Sequence, residues 1–289
     1  MIDFSLPDDT RLLIDTVRRF VETEVHPLED EVERTATVPA EALKIMKSRA
    51  QALGLFAMNM PAEVGGGGLT CVQHCLVEEE LGKTSDALIR RVFGQVYPML
   101  MACQGDQVGK YLLPTVKGDL ICAMAITEPG AGSDAASIST TADLEDGEWV
   151  LNGTKHFISD GDIADYVIVM ALTDQDKRAR GGITLFLVDK GAPGFSVART
   201  QPMMGHRGYG HAELIFDQCR VPASAVLGEV GSGFKLIMKS VLQIRLAHIG
   251  ARAVGMAQRA LEMMRKYAGD RRQFGQPIDF AVSLYSVEG

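Results

Sequence analysis

Long apolar runs are missing from this sequence: no stretch of its 289 residues reaches the ~18 consecutive apolar positions of a membrane helix. Its start, Met1-Ile2-Asp3-Phe4-Ser5-Leu6-Pro7-Asp8-Asp9, carries acids and a proline where a secretion signal carries positive charge and an apolar core. A soluble, intracellular protein is expected, cytoplasmic or, in a eukaryote, of the mitochondrial matrix. An excess of basic charge is missing too. Lys and Arg total 29 against 37 Asp and Glu, a net charge of -8, with a pI near 5.3. That argues against nucleic-acid binding by phosphate neutralisation over the whole chain, and leaves room only for a local cationic pocket. Cysteine is sparse. Cys71, Cys75, Cys103, Cys122 and Cys219 are five thiols, and only Cys71 and Cys75 share a helical spacing, with no second Cys/His pair at zinc-like spacing. No metal site is expected, and the thiols read as reduced, mostly buried small side chains.

Hydrophobic residues make up 46% of the chain and charged residues 23%, enough apolar surface for two or three domains. The hydrophobic period divides the chain into three zones. The first, 1–120, is helical. Leu12, Leu13, Val17, Phe20, Val21 and Val25 repeat at helical spacing up to His26-Pro27, where the helix is expected to end. A second helix is expected from Pro39 to Leu53, and a third from Thr70, a good N-cap, to Leu81. Further helices are expected over 86–103 and 105–113. The second zone, 121–228, has strand character. Trp149-Val150-Leu151 leads into Asn152-Gly153, which reads as a turn, and 166–171 and 183–188 are β-rich. The third zone, 229–289, returns to one long helix over 233–264, with a break at Gly269-Asp270. The class expected is α+β, with an antiparallel β-domain between two helical parts.

The sharpest local pattern is Thr127-Glu128-Pro129-Gly130-Ala131-Gly132-Ser133-Asp134. Two glycines around a small residue let backbone approach a ligand and aim N–H groups at an anion, and Thr127 and Ser133 add hydroxyls. By itself the segment also fits a tight surface turn. The dinucleotide fingerprint G-x-G-x-x-G does not fit, because Ala135 follows and no strand-loop-helix unit surrounds it.

Extended to Ala123-Met124-Ala125-Ile126, that segment resembles the first signature of acyl-CoA dehydrogenases. Asn152-Gly153-Thr154-Lys155-His156-Phe157-Ile158-Ser159-Asp160-Gly161 resembles a second, with Phe157 in place of a Trp and Ser159 in place of a Thr. The resemblance continues through Met204-Gly205-His206-Arg207-Gly208, Gly233-Phe234 and Arg271-Arg272-Gln273-Phe274-Gly275-Gln276-Pro277-Ile278. It implies an acyl-CoA dehydrogenase-like fold with a partial C-terminal helical bundle. It implies FAD held by Met124, Ile126, Thr127, Gly132, Ser133, Phe157, Ile158 and Ser159, with Phe157 as the wall beside the flavin ring and Ser159 near its N5. Arg271 would reach the FAD pyrophosphate of a neighbouring subunit, though read by itself Arg271-Arg272 is equally a solvated helix terminus. Ser133 and Arg245 would contact CoA, and Glu128 and Asp160 would be structural.

In two places the pattern departs. The family takes the substrate α-proton with a glutamate, either from a late loop or from the residue before the helix arginine. Here that residue is Ile244, and Leu242 stands where an acid precedes it. After Ile278 the family continues for roughly a hundred residues, a comparison of length; this chain ends at Glu288-Gly289, an echo of the base loop at a terminus. A truncated or frameshifted sequence, a natural short member without catalysis, and a base elsewhere in the chain all fit, and little dehydrogenation by the chain alone is expected. The function implied is FAD-dependent α,β-dehydrogenation of an acyl-CoA, with electrons passing to an electron-transferring flavoprotein. An oxidase or monooxygenase of the same fold and a non-catalytic binding or assembly subunit stand beside it. Apolar residues around much of the 233–264 helix, including Ile237, Met238, Val241 and Leu246, imply a homo-oligomer, dimer or tetramer.

Overall fold

A computed structural model describes residues 5–94 and 96–280. Helices α1 (Asp8–Phe20), α2 (His26–Thr35), α3 (Ala40–Ala52), α4 (Cys71–Leu81), α5 (Asp86–Phe93) and α6 (Leu113–Lys117) come first. Strands β1 (Cys122–Ala125), β2 (Thr141–Glu145), β3 (Glu148–Ser159), β4 (Tyr166–Leu172), β5 (Ile183–Asp189), β6 (Phe195–Thr200), β7 (His211–Pro222) and β8 (Val226–Leu227) follow. Helices α7 (Gly233–Ile244) and α8 (Arg252–Asp270) and the short pair β9 (Arg272–Gln273) and β10 (Gln276–Pro277) complete the described chain. The α+β class and the α–β–α order agree with the changes of hydrophobic period.

The sheet runs β6-β7-β3-β2-β4-β5-β8, with β1 beside β4. Its pairings are antiparallel except at β4, whose one edge takes β1 and the start of β2 in parallel. β4 and β5 are buried on both faces, which is why each reads as an unbroken apolar run. The pleat separates them cleanly. Ile168, Met170, Leu185 and Leu187 point into a core shared with Tyr97, Leu100 and Tyr111 of the helical part. Val167, Val169, Phe186 and Val188 point the other way, onto Trp149, Leu214 and Phe216.

Several expectations are corrected. His26-Pro27 does not end the first helix: a π turn over Val21–Val25 precedes it, and Pro27 falls in the first turn of α2, where its missing N–H breaks no helical bond. The helix expected over 86–103 stops at Phe93, because Gly94 takes a left-handed φ of 70° and Pro98 opens a separate 3₁₀ turn. The one over 105–113 is a π segment, Val108–Leu112, running into α6. Asn152-Gly153 is not a turn. β3 runs straight through it, with a register shift against β7, and the Asn152 Oδ1 accepts from the Gln218 backbone N–H at 2.8 Å. Glycine is needed at 153 because a Cβ would lie 2.4 Å from the Thr140 Oγ1. The real hairpin turn is Asp146-Gly147, both at positive φ, 50° and 86°. The C-terminal helix is interrupted by a π segment, Arg245–Ala251, and then runs beyond Met264 to end at Asp270, within the expected Gly269-Asp270 break.

α4 and α8 cross at very close range. A Cβ on Gly255 would lie 1.9 Å from the Glu79 carbonyl, and one on Gly82 would lie 2.3 Å from the Arg252 carbonyl. These two glycines let the helical parts at either end of the sequence touch backbone to backbone.

Candidate active site

The 127–133 turn is closed by two reciprocal backbone bonds between Glu128 and Ala131, at 2.9 and 3.1 Å. Inside it lies a fully buried ion pair. The Lys155 Nζ, from β3, donates to the Glu128 Oε1 at 2.8 Å and to the Ile126 carbonyl at 3.0 Å. Glu128 also accepts from the Ser139 N–H at 2.7 Å, the Ser139 hydroxyl at 2.6 Å and the Thr140 N–H at 3.0 Å. Burial alone would raise its carboxyl, but the Lys155 ammonium and these donors outweigh it and hold it down at about 2. The His156 N–H donates to the Thr127 carbonyl at 2.8 Å. Two sequence-distant segments, 126–128 and 155–156, are thereby fixed side by side.

Beyond that pin the backbone does something uncommon. Phe157 has φ 57° and its side chain is 50% exposed, stacked on the His156 ring with centroids 4.1 Å apart. A bulky residue in the left-handed region costs of order 1–3 kcal/mol and marks a site where the surroundings dictate the conformation. The strain sits in a second register shift of β3 against β7, which turns Phe157 outward while Ile158 stays buried. Ser159 Oγ lies 3.1 Å from the His211 Nδ1, and a chain of contacts continues: His211 to His206 at 3.0 Å, His206 to the Tyr209 hydroxyl at 2.9 Å, and that hydroxyl donating to Asp86 on α5 at 2.7 Å. Desolvation and the neighbouring His206 lower the His211 imidazole, favouring its neutral form. Asp160, also at positive φ, binds Arg90 at 2.6 Å and Arg91 at 2.8 Å. Arg90 and Arg91 and the ends of the His206–His211 chain were not singled out in the sequence, because Asp160 lies 70 and 69 positions from the two arginines, Ser159 lies 52 from His211, and Asp86 lies 123 from Tyr209.

The structure therefore brings Met124, Ile126 and Thr127 against the strand that carries Phe157, Ile158 and Ser159, with Gly132 and Ser133 exposed at the open end of the turn. Neither Gly130 nor Gly132 has a positive φ, and a Cβ on either would meet nothing within 4 Å. The packing of the described residues does not require glycine there, and the bare turn leaves room for close approach of a phosphate. An exposed aromatic wall, a flanking hydroxyl and a bare backbone turn fit an isoalloxazine ring with its anionic tail. Arg245, in the π segment, and Arg271, just past the end of α8, are exposed and, among the described residues, make no hydrogen bond to these segments. Ile244's side chain is not described, and Glu288 lies outside the described residues.

Comparison with known proteins bears on the family and the fold. The family model for the acyl-CoA dehydrogenase N-terminal domain matches residues 7–119, that for the middle domain 123–219, and that for the C-terminal domain 231–283. The chain is 38% identical over 283 residues to the acryloyl-CoA reductase (NADH) of Anaerotignum propionicum, covering 96% of this chain and 70% of that protein. It is 38% identical to the human mitochondrial short-chain specific acyl-CoA dehydrogenase, covering 94% of this chain and 66% of that one. A solved glutaryl-CoA dehydrogenase from Mycobacterium smegmatis in complex with FADH2 superposes with a TM-score of 0.82 at 30% identity, covering 95% of this chain and 69% of it. The chain thus spans about two thirds of the length of the curated relatives it matches. With all three domain signatures in order along one chain, it belongs to the acyl-CoA dehydrogenase family.

Proposed function

We propose that this protein binds FAD along 124–133 and 157–159 and works on the α,β-bond of an acyl-CoA thioester. The observation that carries this reading is the outward, strained Phe157 beside a glycine turn that nothing in the chain obliges to be glycine. When bound, the flavin supplies the acceptor for a hydride from the substrate β-carbon. The chain's own residues do the rest: Phe157 walls the ring, Ser159 offers a hydroxyl that His211 orients, and the N–H groups of Gly130, Gly132 and Ser133 face phosphate, that of Ala131 being held by Glu128. Arg271 of a second copy pairs with the pyrophosphate, and Arg245 with CoA. The acryloyl-CoA reductase relative supports the reverse direction on the same site, and an electron-transferring flavoprotein is the redox partner proposed.

The test begins with flavin content. The purified chain incubated with FAD is expected to retain one flavin through gel filtration, and Gly132→Ala to weaken retention by about 1 kcal/mol, roughly fivefold, with the unfolding midpoint of the flavin-free protein unchanged. Failure of the wild type to retain FAD overturns the proposal. Anaerobic bleaching of the bound flavin by short, medium or branched acyl-CoA thioesters then separates a dehydrogenase from a non-catalytic binder, and reoxidation of reduced flavin by an enoyl-CoA reports the reductive direction.

Association is proposed as well. Met256, Met263, Met264 and Tyr267 on α8 are 54 to 62% exposed, an apolar stripe left uncovered by the described residues of one chain. Light scattering is expected to show a dimer or tetramer; a monodisperse monomer would contradict this.

A further inference from the structure

We propose a structural site for a divalent transition metal, zinc by its chemistry, at His74, Glu78 and His248, joining α4 to the C-terminal helices. His74 and Glu78 stand one turn apart on α4, a helix started by a full capping box between Thr70 and Gln73. His248 comes from the π segment between α7 and α8, and π turns recur where a helix must re-aim a functional side chain. The close crossing at Gly82 and Gly255 brings the two helices near enough for these side chains to meet.

The three facing atoms form a nearly equilateral triangle. His74 Nε2 lies 3.3 Å from the Glu78 Oε1, His248 Nε2 lies 3.2 Å from the same oxygen, and the two nitrogens are 3.3 Å apart. Ligands bound tetrahedrally to zinc at about 2.0 Å are separated by about 3.3 Å along each edge of the tetrahedron. A proton bridges only one edge of this triangle, as in a hydrogen bond between the two imidazoles across 3.3 Å. One cation accepts all three lone pairs at once. Imidazole nitrogens with a single carboxylate oxygen select zinc-like metals over calcium or magnesium, which prefer oxygen ligands.

The surroundings fit a clamp rather than a catalyst. All three side chains are at most 7% exposed. Arg252 holds the other carboxylate oxygen, Oε2, at 2.5 Å and Asp86 at 2.5 Å, so Oε1 is left pointing at the triangle. That is the outer-shell bracing that metal-binding carboxylates receive. The adjoining cavity, bounded by Met58, Asn59 and Phe93 among others, measures about 10 Å³, room for about one water as fourth ligand and none for a substrate. Both Nδ1 atoms are buried without a partner among the described residues. Affinity is therefore expected to fall below that of a fully braced site.

The experiment titrates the chelator-treated, folded full chain with zinc, and separately with cobalt as a visible probe. One zinc per chain, the d–d bands of four-coordinate cobalt and a raised unfolding midpoint are expected. His248→Gln should weaken zinc by more than the 10- to 100-fold typical of outer-shell changes, with unchanged helical circular dichroism. The Cys71→Ser/Cys75→Ser double variant should bind as the wild type does. Absence of stoichiometric zinc on the wild-type chain overturns the proposal, whether or not any variant folds. So does zinc retained undiminished by His248→Gln, or zinc lost with the two thiols.

Discussion

Glu128→Ala is expected to cost about 3–5 kcal/mol of stability, read as the shift of a urea unfolding curve at constant slope. The substitution strands the Lys155 ammonium at 0% exposure, with only the Ile126 carbonyl left to it. Against a typical domain stability of about 5–15 kcal/mol, that is a large share. Lys155→Met is expected to cost less, because the carboxylate keeps the Ser139 N–H, the Ser139 hydroxyl and the Thr140 N–H. Combining Glu128→Ala with Lys155→Met should recover part of the loss, since the coupling between neighbours is the term being measured. Equal costs for the two single variants would show that the pair acts only through packing volume. The acid limb carries the same information. The Glu128 carboxyl is depressed in the folded state, to about 2 from an ordinary 4.5. Its contribution is therefore fully present above the ordinary value and disappears as pH falls from about 4.5 towards 2. Glu128→Gln should flatten that part of the stability profile.

Phe157→Gly should separate stability from cofactor binding. Glycine takes a φ of 57° without penalty, so strain of order 1–3 kcal/mol is removed while about 0.5–1 kcal/mol is lost to glycine's unfolded-state entropy. The flavin-free protein should unfold at an unchanged or higher denaturant concentration. FAD, in contrast, should bind about 10- to 150-fold more weakly, the equivalent of about 1.5–3 kcal/mol for an aromatic side chain that covers a ligand face. Phe157→Leu keeps the backbone strain and gives up the flat ring, so it should weaken FAD without the stability gain. A chain that loses stability on Phe157→Gly yet holds FAD as before would make Phe157 a packing residue and remove the main support for the site. This trade between strain and binding is typical of positions whose conformation is set by function.

How far the sequence carries this protein can be judged element by element. Period alone gave the α–β–α order, because a half-buried helix and a two-faced strand demand different spacings of apolar side chains. α4 was legible from Thr70 to Leu81, since both its ends depend on local chemistry, a capping box at one and Gly82 at the other. The two motif segments were legible as local patterns with matching spacing to a family. Where a residue's conformation is decided by distant partners, local reading failed. Asn152-Gly153 has the composition of a turn, but Thr140 and Gln218 pack against it and keep it in the strand. Pro27 has the look of a helix stop, but a π turn one step earlier absorbs it. The sequence by itself determined which residues are apolar at which spacing, and hence the elements, their order and the family. Only the tertiary structure decided that Lys155 lies under Glu128, that Phe157 turns outward, and that His248 meets His74 and Glu78. Those contacts span 27 to 174 positions along the chain. No short-range propensity encodes such pairs; they exist because close crossings such as Gly255 against Glu79 bring buried polar groups to partners that must satisfy them.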